Sequence, residues 1–178
     1  IQPQKRFIRI DEPEGNRSFT MLNKGLPEVE LVDKSILALT LIRSIGYLSR
    51  SDYPERPIHA GPALETPGAQ ELNEKYTFEY GIIVHSKERP ISFSYDQSEA
   101  FCVKCIGALL ENKEITQDLT NQLISIASPN LRISSLRMKD NRILVTIYNI
   151  TSSPMKAELT ISKKFKECNE ILITGKIK

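Results

Sequence analysis

The stretch NLRISSLRMKDNRILVTIYNI, Asn130 to Ile150, decides the fold class. Its second half places Ile143, Val145 and Ile147 on one side of an extended chain, the period-2 mark of a strand with a buried face. Its first half changes phase, because Leu131 and Ile133 are followed by Leu136 and Met138. A one-residue slip at Ser134-Ser135, a β-bulge, would return the apolar residues to one face. Lys139-Asp140-Asn141 supplies the turn between the two runs.

The same rhythm extends outward from this stretch. KAELTIS sets Ala157, Leu159 and Ile161 against Glu158, Thr160 and Ser162. In YTFEYGIIVH, Tyr76, Phe78, Tyr80, Ile82 and Val84 share a face, and in PISFSYD so do Ile91, Phe93 and Tyr95. Turn signals at Asn23-Lys24-Gly25, Lys87-Glu88-Arg89-Pro90 and Thr151-Ser152-Ser153-Pro154 separate the runs. The best helix candidate, Gln97 to Leu110, is weakened by Gly107. The expected class is all-β, a β-sandwich, since sheet on sheet is the default way to bury half-apolar strands. The strand rhythm breaks between Tyr95 and Gln122 and then resumes, so two β units are expected, 1–97 and 98–178.

The chain has 178 residues, 40% hydrophobic and 26% charged, with a net charge of +2. Near balance gives no electrostatic reason to expect nucleic acid or an anionic membrane as partner. No apolar run approaches the roughly 18 residues that span a bilayer. The opening IQPQKRFIRI lacks both an initiator Met and a signal-peptide apolar region, and reads as part of a longer polypeptide. Three cysteines, Cys102, Cys105 and Cys168, are too few and odd in number for a disulfide scaffold, which favours a reduced, cytoplasmic setting. Asn16-Arg17-Ser18 and Asn149-Ile150-Thr151 fit the glycosylation tripeptide, a pattern that matters only in a secreted protein.

Leu37 to Pro57, LALTLIRSIGYLSRSDYPERP, begins as an unbroken apolar run and then places Arg43 on the face of Leu37, Leu39 and Leu41. A guanidinium there needs a carboxylate or a polar ligand. One reading is a buried ion pair with Asp52 or Glu55; the other is an arginine presented at a strand end to a ligand or a neighbouring domain. From Ser49 to Gln70 four prolines exclude a central strand or helix interior. A loop that long is commonly functional, and Tyr53, Ile58 and Leu64 argue that it docks against something.

Catalytic constellations are sparse. Cys102-Val103-Lys104-Cys105 is a CxxC, but zinc sites usually need two such pairs, and the plainer reading is small buried hydrophobes. His59 and His85 are the only histidines, without a nucleophile elbow. Asp52, Glu55, Glu65, Glu71 and Glu79 could form a glycosidase pair only by meeting in space, and read first as solvated charges.

FTMLNKGLPEVELVD, LALTLIRSIGYLSRSD, AGPALETPGAQ and YTFEYGIIVH, in that order, resemble the C-terminal β region of glycoside hydrolase family 38, the α-mannosidases. SPNLRISSLRMKDNRILVTIYNITSSPMKAELTI is similar to that family's terminal β-sandwich, so the resemblance runs from about Ser18 to Ile161. It implies the latter part of a galactose-mutarotase-like supersandwich followed by a small C-terminal β-sandwich. It also implies an intact retaining α-mannosidase, a glycosidase of mannose metabolism. Such an enzyme's N-terminal portion holds zinc, on aspartates and histidines, and an aspartate nucleophile, with two carboxyl groups about 5–5.5 Å apart. Those motifs are not in this chain, so no catalytic residue, metal ligand or cofactor is expected here, and zinc belongs to the missing catalytic domain. The implied partners are that N-terminal portion and a mannose-containing carbohydrate, with homo-oligomerisation left open. Arg43, Asp52 and Tyr53 are the candidate substrate-binding or interface residues, and the Pro-rich loop a clamp between domains. The alternatives are a free-standing carbohydrate-binding β-sandwich module, weakened by the lack of Trp, and a sugar epimerase using His59 or His85.

Overall fold

The computed structural model describes residues 1–50, 52, 54–55, 61–69, 73–104, 123–162 and 167–171. The chain separates into two compact units, Ile1–Cys105 and Ile106–Lys178. The boundary expected from sequence, 97/98, falls inside a helix of the first unit. No helix among the described residues is long and apolar enough to cross a membrane.

The first unit contains β1 (Gln2–Pro3), β2 (Phe7–Asp11), β3 (Arg17–Asn23), β4 (Glu28–Val32), β5 (Ile36–Leu39), β6 (Tyr47–Ser49), β7 (Leu64–Glu65), β8 (Tyr80–Ser86) and helix α1 (Ile91–Cys102). They form three antiparallel sheets, ordered β2-β3-β8, β1-β4-β5 and β6-β7. Local chemistry sets the joints. Gly25, at φ 73°, lets the chain leave β3 through a left-handed residue. Asp33 and Lys34, both at positive φ, turn β4 back into β5. Ala69 N–H donates to Thr66 C=O at 3.1 Å around Pro67 and Gly68, with Gly68 at φ 76°, the positions a type II turn assigns to Pro and Gly.

The sheet β2-β3-β8 carries α1 on one face. Leu22 and Gly81 lie opposite one another, and a Cβ added at Gly81 would meet the Phe101 ring at 3.5 Å. Phe7 meets Tyr95 edge-on at 4.9 Å, and His85 meets Phe93 edge-on at 5.0 Å. At the centre the contact is polar: Thr20 and Ser94 hydroxyls are 3.0 Å apart and both are buried. On the other face, opposite partners put Met21 beside Ile82 and Phe19 beside Val84. Tyr80, Ile82 and Val84 there are 53%, 59% and 67% exposed.

Three expectations are corrected in this unit. PISFSYD is not a strand, and the helix begins at Ile91 rather than Gln97. The buried residues of α1 are Ser92, Ser94 and Ser98, with half-buried Phe101 continuing the Ser94–Ser98 line at helical spacing and Phe93 and Tyr95 flanking it. Because serine fills the stripe, hydropathy shows no helical period. Small hydroxyl side chains let the helix approach the sheet closely, and Pro90 sits at the N-cap position. The strand expected from Tyr76 begins at Tyr80, and its aromatic-aliphatic face is open rather than buried. The apolar run from Leu37 leaves its sheet after Leu39: Thr40 N–H reaches Glu28 C=O at 3.2 Å, and the neighbouring strand ends there because Pro27 has no N–H.

The second unit contains β9 (Ile124–Ile126), β10 (Leu131–Lys139), β11 (Arg142–Asn149) and β12 (Leu159–Ile161). β10 pairs with β11 and β12 with β9, both antiparallel. Ile133 opposes Ile147 but Ser135 opposes Thr146, so Ser134 is the extra residue and the expected bulge is present. Asp140 and Asn141, at φ 50° and 59°, form the two-residue turn that matches the twist of a hairpin. The all-β expectation holds: among the described residues strands dominate and α1 is the one α-helix.

Candidate functional site

The segment after β5 is where the sequence concentrates its unusual residues. Leu41, Ile42, Ile45 and Leu48 are all exposed there. The segment is held from one side by residues of the Pro-rich stretch. Thr66 N–H donates to Gly46 C=O at 2.9 Å, Thr66 Oγ1 to Ile45 C=O at 2.6 Å, and Ser44 Oγ to Ala69 C=O at 3.0 Å. The described part of that stretch therefore includes a short strand, β7, and corrects the expectation that it lacks regular structure. Prolines flank β7 at Pro62 and Pro67 without entering it, as a two-residue edge element allows.

On this hairpin the polar groups pair locally. The Tyr47 phenol donates to Glu65 Oε1 at 3.0 Å, and that bond, with the carboxylate's charge, raises the phenol's pKa and keeps it neutral. Arg50 binds Asp52 with both forks, Nε to Oδ1 at 2.8 Å and a terminal nitrogen to Oδ2 at 2.5 Å. Its guanidinium also lies 5.2 Å from the Tyr47 ring centroid. The hydrogen bond from Arg50 holds the Asp52 carboxyl below its ordinary range.

Arg43 does not meet Asp52 or Glu55. Its Nε lies 2.7 Å from Glu28 Oε2, and its side chain is about half exposed. The expected buried ion pair between strand and loop is thus corrected. The arginine stands beyond the strand end, where the carboxylate that begins β4 is its nearest anion. Tyr53 and His59 lie outside the described residues. Tyr47 and Glu65 are the members that sequence reading missed as a pair; the cue was an aromatic and an acid in the two stretches that hydrogen-bond to each other.

A glycosidase acid needs a carboxyl whose pKa is pushed up. Asp52 is pushed down by Arg50, and Glu79 is pushed down by Lys24, which ion-pairs with it. His85 is committed elsewhere: Nε2 is 2.9 Å from Thr20 Oγ1 and Nδ1 is 2.9 Å from Ser86 C=O. Cys102 closes the C-terminal end of α1, the end that does not activate a thiolate, and Cys168 is exposed rather than buried. No group of three or more His, Cys, Asp or Glu among the described residues could hold a metal ion. The described segment carries an aromatic ring, a forked arginine and a row of exposed aliphatic side chains.

Two solved structures share this architecture. A protein in the glycosyl hydrolase family 38 from Enterococcus faecalis aligns with a TM-score of 0.73 at 24% identity, over 94% of this chain and 19% of its own. An alpha-mannosidase from Enterococcus faecalis V583 aligns with a TM-score of 0.65 at 24% identity, over 90% of this chain and 17% of its own. The likeness shows the fold, and this chain spans less than a fifth of either neighbour. No family model and no curated protein matches the sequence.

Proposed function

We propose that this chain is the non-catalytic β region of a retaining α-mannosidase, a support for the catalytic portion and a wall of its outer substrate site. The observation that carries the reading is the lopsided match: nearly all of this chain, but only 19% and 17% of the two neighbours, one of them an alpha-mannosidase. The exposed aliphatic row from Leu41 to Leu48 and the open face of β8 support it, since a monomer rarely leaves so much apolar surface to water. The sequence resemblance in the stretches from Phe19 to His85 points the same way.

In this reading hydrolysis belongs to the N-terminal portion, with its zinc and aspartate, and this chain contributes position rather than chemistry. Arg43 and the Arg50–Asp52 fork face the partner portion or the mannose-containing substrate. Tyr53 belongs to the same loop. A free-standing sugar-binding module would need an open aromatic platform; one face of Tyr47 is taken by Arg50, and Tyr76 and Phe78 stack on each other at 6.5 Å.

The test is hydrolysis of a chromogenic α-mannoside with added zinc, by this chain alone and by the full-length protein that contains it. Activity confined to the full-length protein supports the reading. Turnover by this chain alone would overturn it and return attention to His59, His85 and the carboxylates.

A further inference from the structure

Strand β8 is open along its edge as well as on its face. In the order β2-β3-β8 it has a neighbour on one side only. Lys24 N–H donates to Glu79 C=O at 3.1 Å and Lys87 N–H to Asn16 C=O at 3.0 Å, at the two ends of the β3–β8 ladder. Antiparallel pairs alternate, so between those ends Gly81, Ile83 and His85 bond to β3. Tyr80, Ile82 and Val84 direct both backbone groups the other way, where no strand or loop among the described residues pairs with them. The edge closes at Ser86, whose C=O accepts the Arg89 N–H at 3.1 Å and lies 2.9 Å from His85 Nδ1.

Proteins usually guard such an edge with a charge, a proline or a bulge. The other edge strand of this sheet, β2, carries an inward-pointing Arg9, its side chain 10% exposed and paired with Asp11. Tyr80 to Val84, YGIIV, has no charge and no proline, and its register against β3 is unbroken. Across the sheet Ile8, Met21 and Ile82 lie in one row, and Ile10, Phe19 and Val84 in the next. Ile8 and Ile10 are half-buried and Met21 is buried, while Ile82 and Val84 are more than half exposed. Burial on this face therefore falls off at the strand whose outer backbone groups are unpaired. A cover lying only across the face would leave those groups unpaired. An added strand satisfies both, because its backbone pairs with the edge and its alternate side chains extend the apolar rows.

We infer that β8 is an interior strand in the full-length protein, its free edge taken by an extended segment of the same polypeptide from outside this chain. This rests on the α-mannosidase reading, since each structural neighbour has more than four-fifths of its chain beyond the part matched here. The segment is about five residues long, enough to run beside Tyr80 to Val84. It sets apolar side chains at every second position, next to Tyr80, Ile82 and Val84.

The test is hydrogen exchange read residue by residue, by mass spectrometry with electron-transfer fragmentation, in this chain alone and in the full-length protein. Expected in this chain are slow amides at Gly81, Ile83 and His85 and fast amides at Tyr80, Ile82 and Val84. In the full-length protein the second set slows by about a hundredfold or more, and the alternation disappears. Ile82→Pro removes one outward N–H and no bond to β3, so in this chain it leaves Gly81 and Ile83 slow. In the full-length protein the same substitution returns Tyr80 and Val84 toward fast exchange. Fast exchange of Tyr80, Ile82 and Val84 in both samples would overturn the strand pairing. Hydrolysis of an α-mannoside by that full-length protein, and not by this chain, would then keep the α-mannosidase reading and remove the pairing alone. Slow exchange of these amides already in this chain, growing with concentration alongside a dimeric mass in light scattering, would also overturn it and give the edge to a second copy.

Discussion

The two faces of the sheet β2-β3-β8 are built on opposite principles. Under α1 the centre is hydroxyl and imidazole: Ser94, Thr20 and His85 form a chain at 3.0 and 2.9 Å, and Ser98 returns its hydroxyl to Tyr95 C=O at 2.8 Å. The opposite face offers Tyr80, Ile82 and Val84, each more than half exposed. Polar groups are covered under α1 and the apolar side chains of β8 are open on the other face, where Met21 of β3 is nevertheless buried. On the covered face Thr20 and Ser94 pair with each other, Thr20 also meets His85, and Ser18 donates to Asp11 of β2. The open face leaves these apolar side chains of β8 to water, and in the proposed reading another part of a larger protein covers them.

The sharpest way to break this comparison is to remove packing from the finished face. Leu22→Ala should cost about 2–5 kcal/mol in urea unfolding, because Leu22 is buried beside Gly81 and Phe101. A cost below 1 kcal/mol would mean that α1 is not the cover that stabilises this sheet. Thr20→Val comes next, at about 1–3 kcal/mol, because it keeps the shape while depriving Ser94 and His85 of a partner.

Asp11, at the rim of the covered face, sharpens the comparison through pH. Hydrogen bonds from Ser18 at 2.5 Å and Arg9 at 2.7 Å lower its pKa below the ordinary 3.8. A carboxyl depressed in the folded state adds stability that is present above the unfolded value and is lost as pH falls through the folded one. Thermal melts from pH 6 downward should therefore show an acid-induced drop below about pH 4 that Asp11→Asn reduces. The group is largely exposed, so the contribution should stay below about 1 kcal/mol. Glu28→Gln, which removes the partner of Arg43, should cost about 0–1 kcal/mol in this chain. In the full-length protein, an Arg43→Ala variant unchanged in both stability and kinetics would remove Arg43 from the proposed interface. The smallest effect belongs to the open face: Ile82→Thr should lie within about 0.5 kcal/mol in this chain, as for a surface position.

Much of the strand content was legible because it rests on local alternation. The bulge at Ser134 could be read from a phase change between Ile133 and Leu136, and the hairpin turn from Asp140-Asn141. Helix α1 is hidden from a hydropathy reading because its buried residues are serines, while Phe93 and Tyr95 mimic a strand. The fate of Arg43 was also unreadable. Its partner, Glu28, is the first residue of a different strand, β4, fifteen positions away in sequence. Which face of β8 is covered cannot follow from alternation at all, since period two marks two faces without saying what lies over either.

The central claim is that the open face of β8 is covered in the full-length protein. Oxidative or carbene footprinting at Tyr80, Ile82 and Val84, in this chain alone and in the full-length protein, tests it directly. The expected result is strong labelling in the chain alone and protection in the full-length protein, with Asp140 and Asn141 labelled equally in both. Equal labelling of Tyr80, Ile82 and Val84 in the two samples would contradict the account.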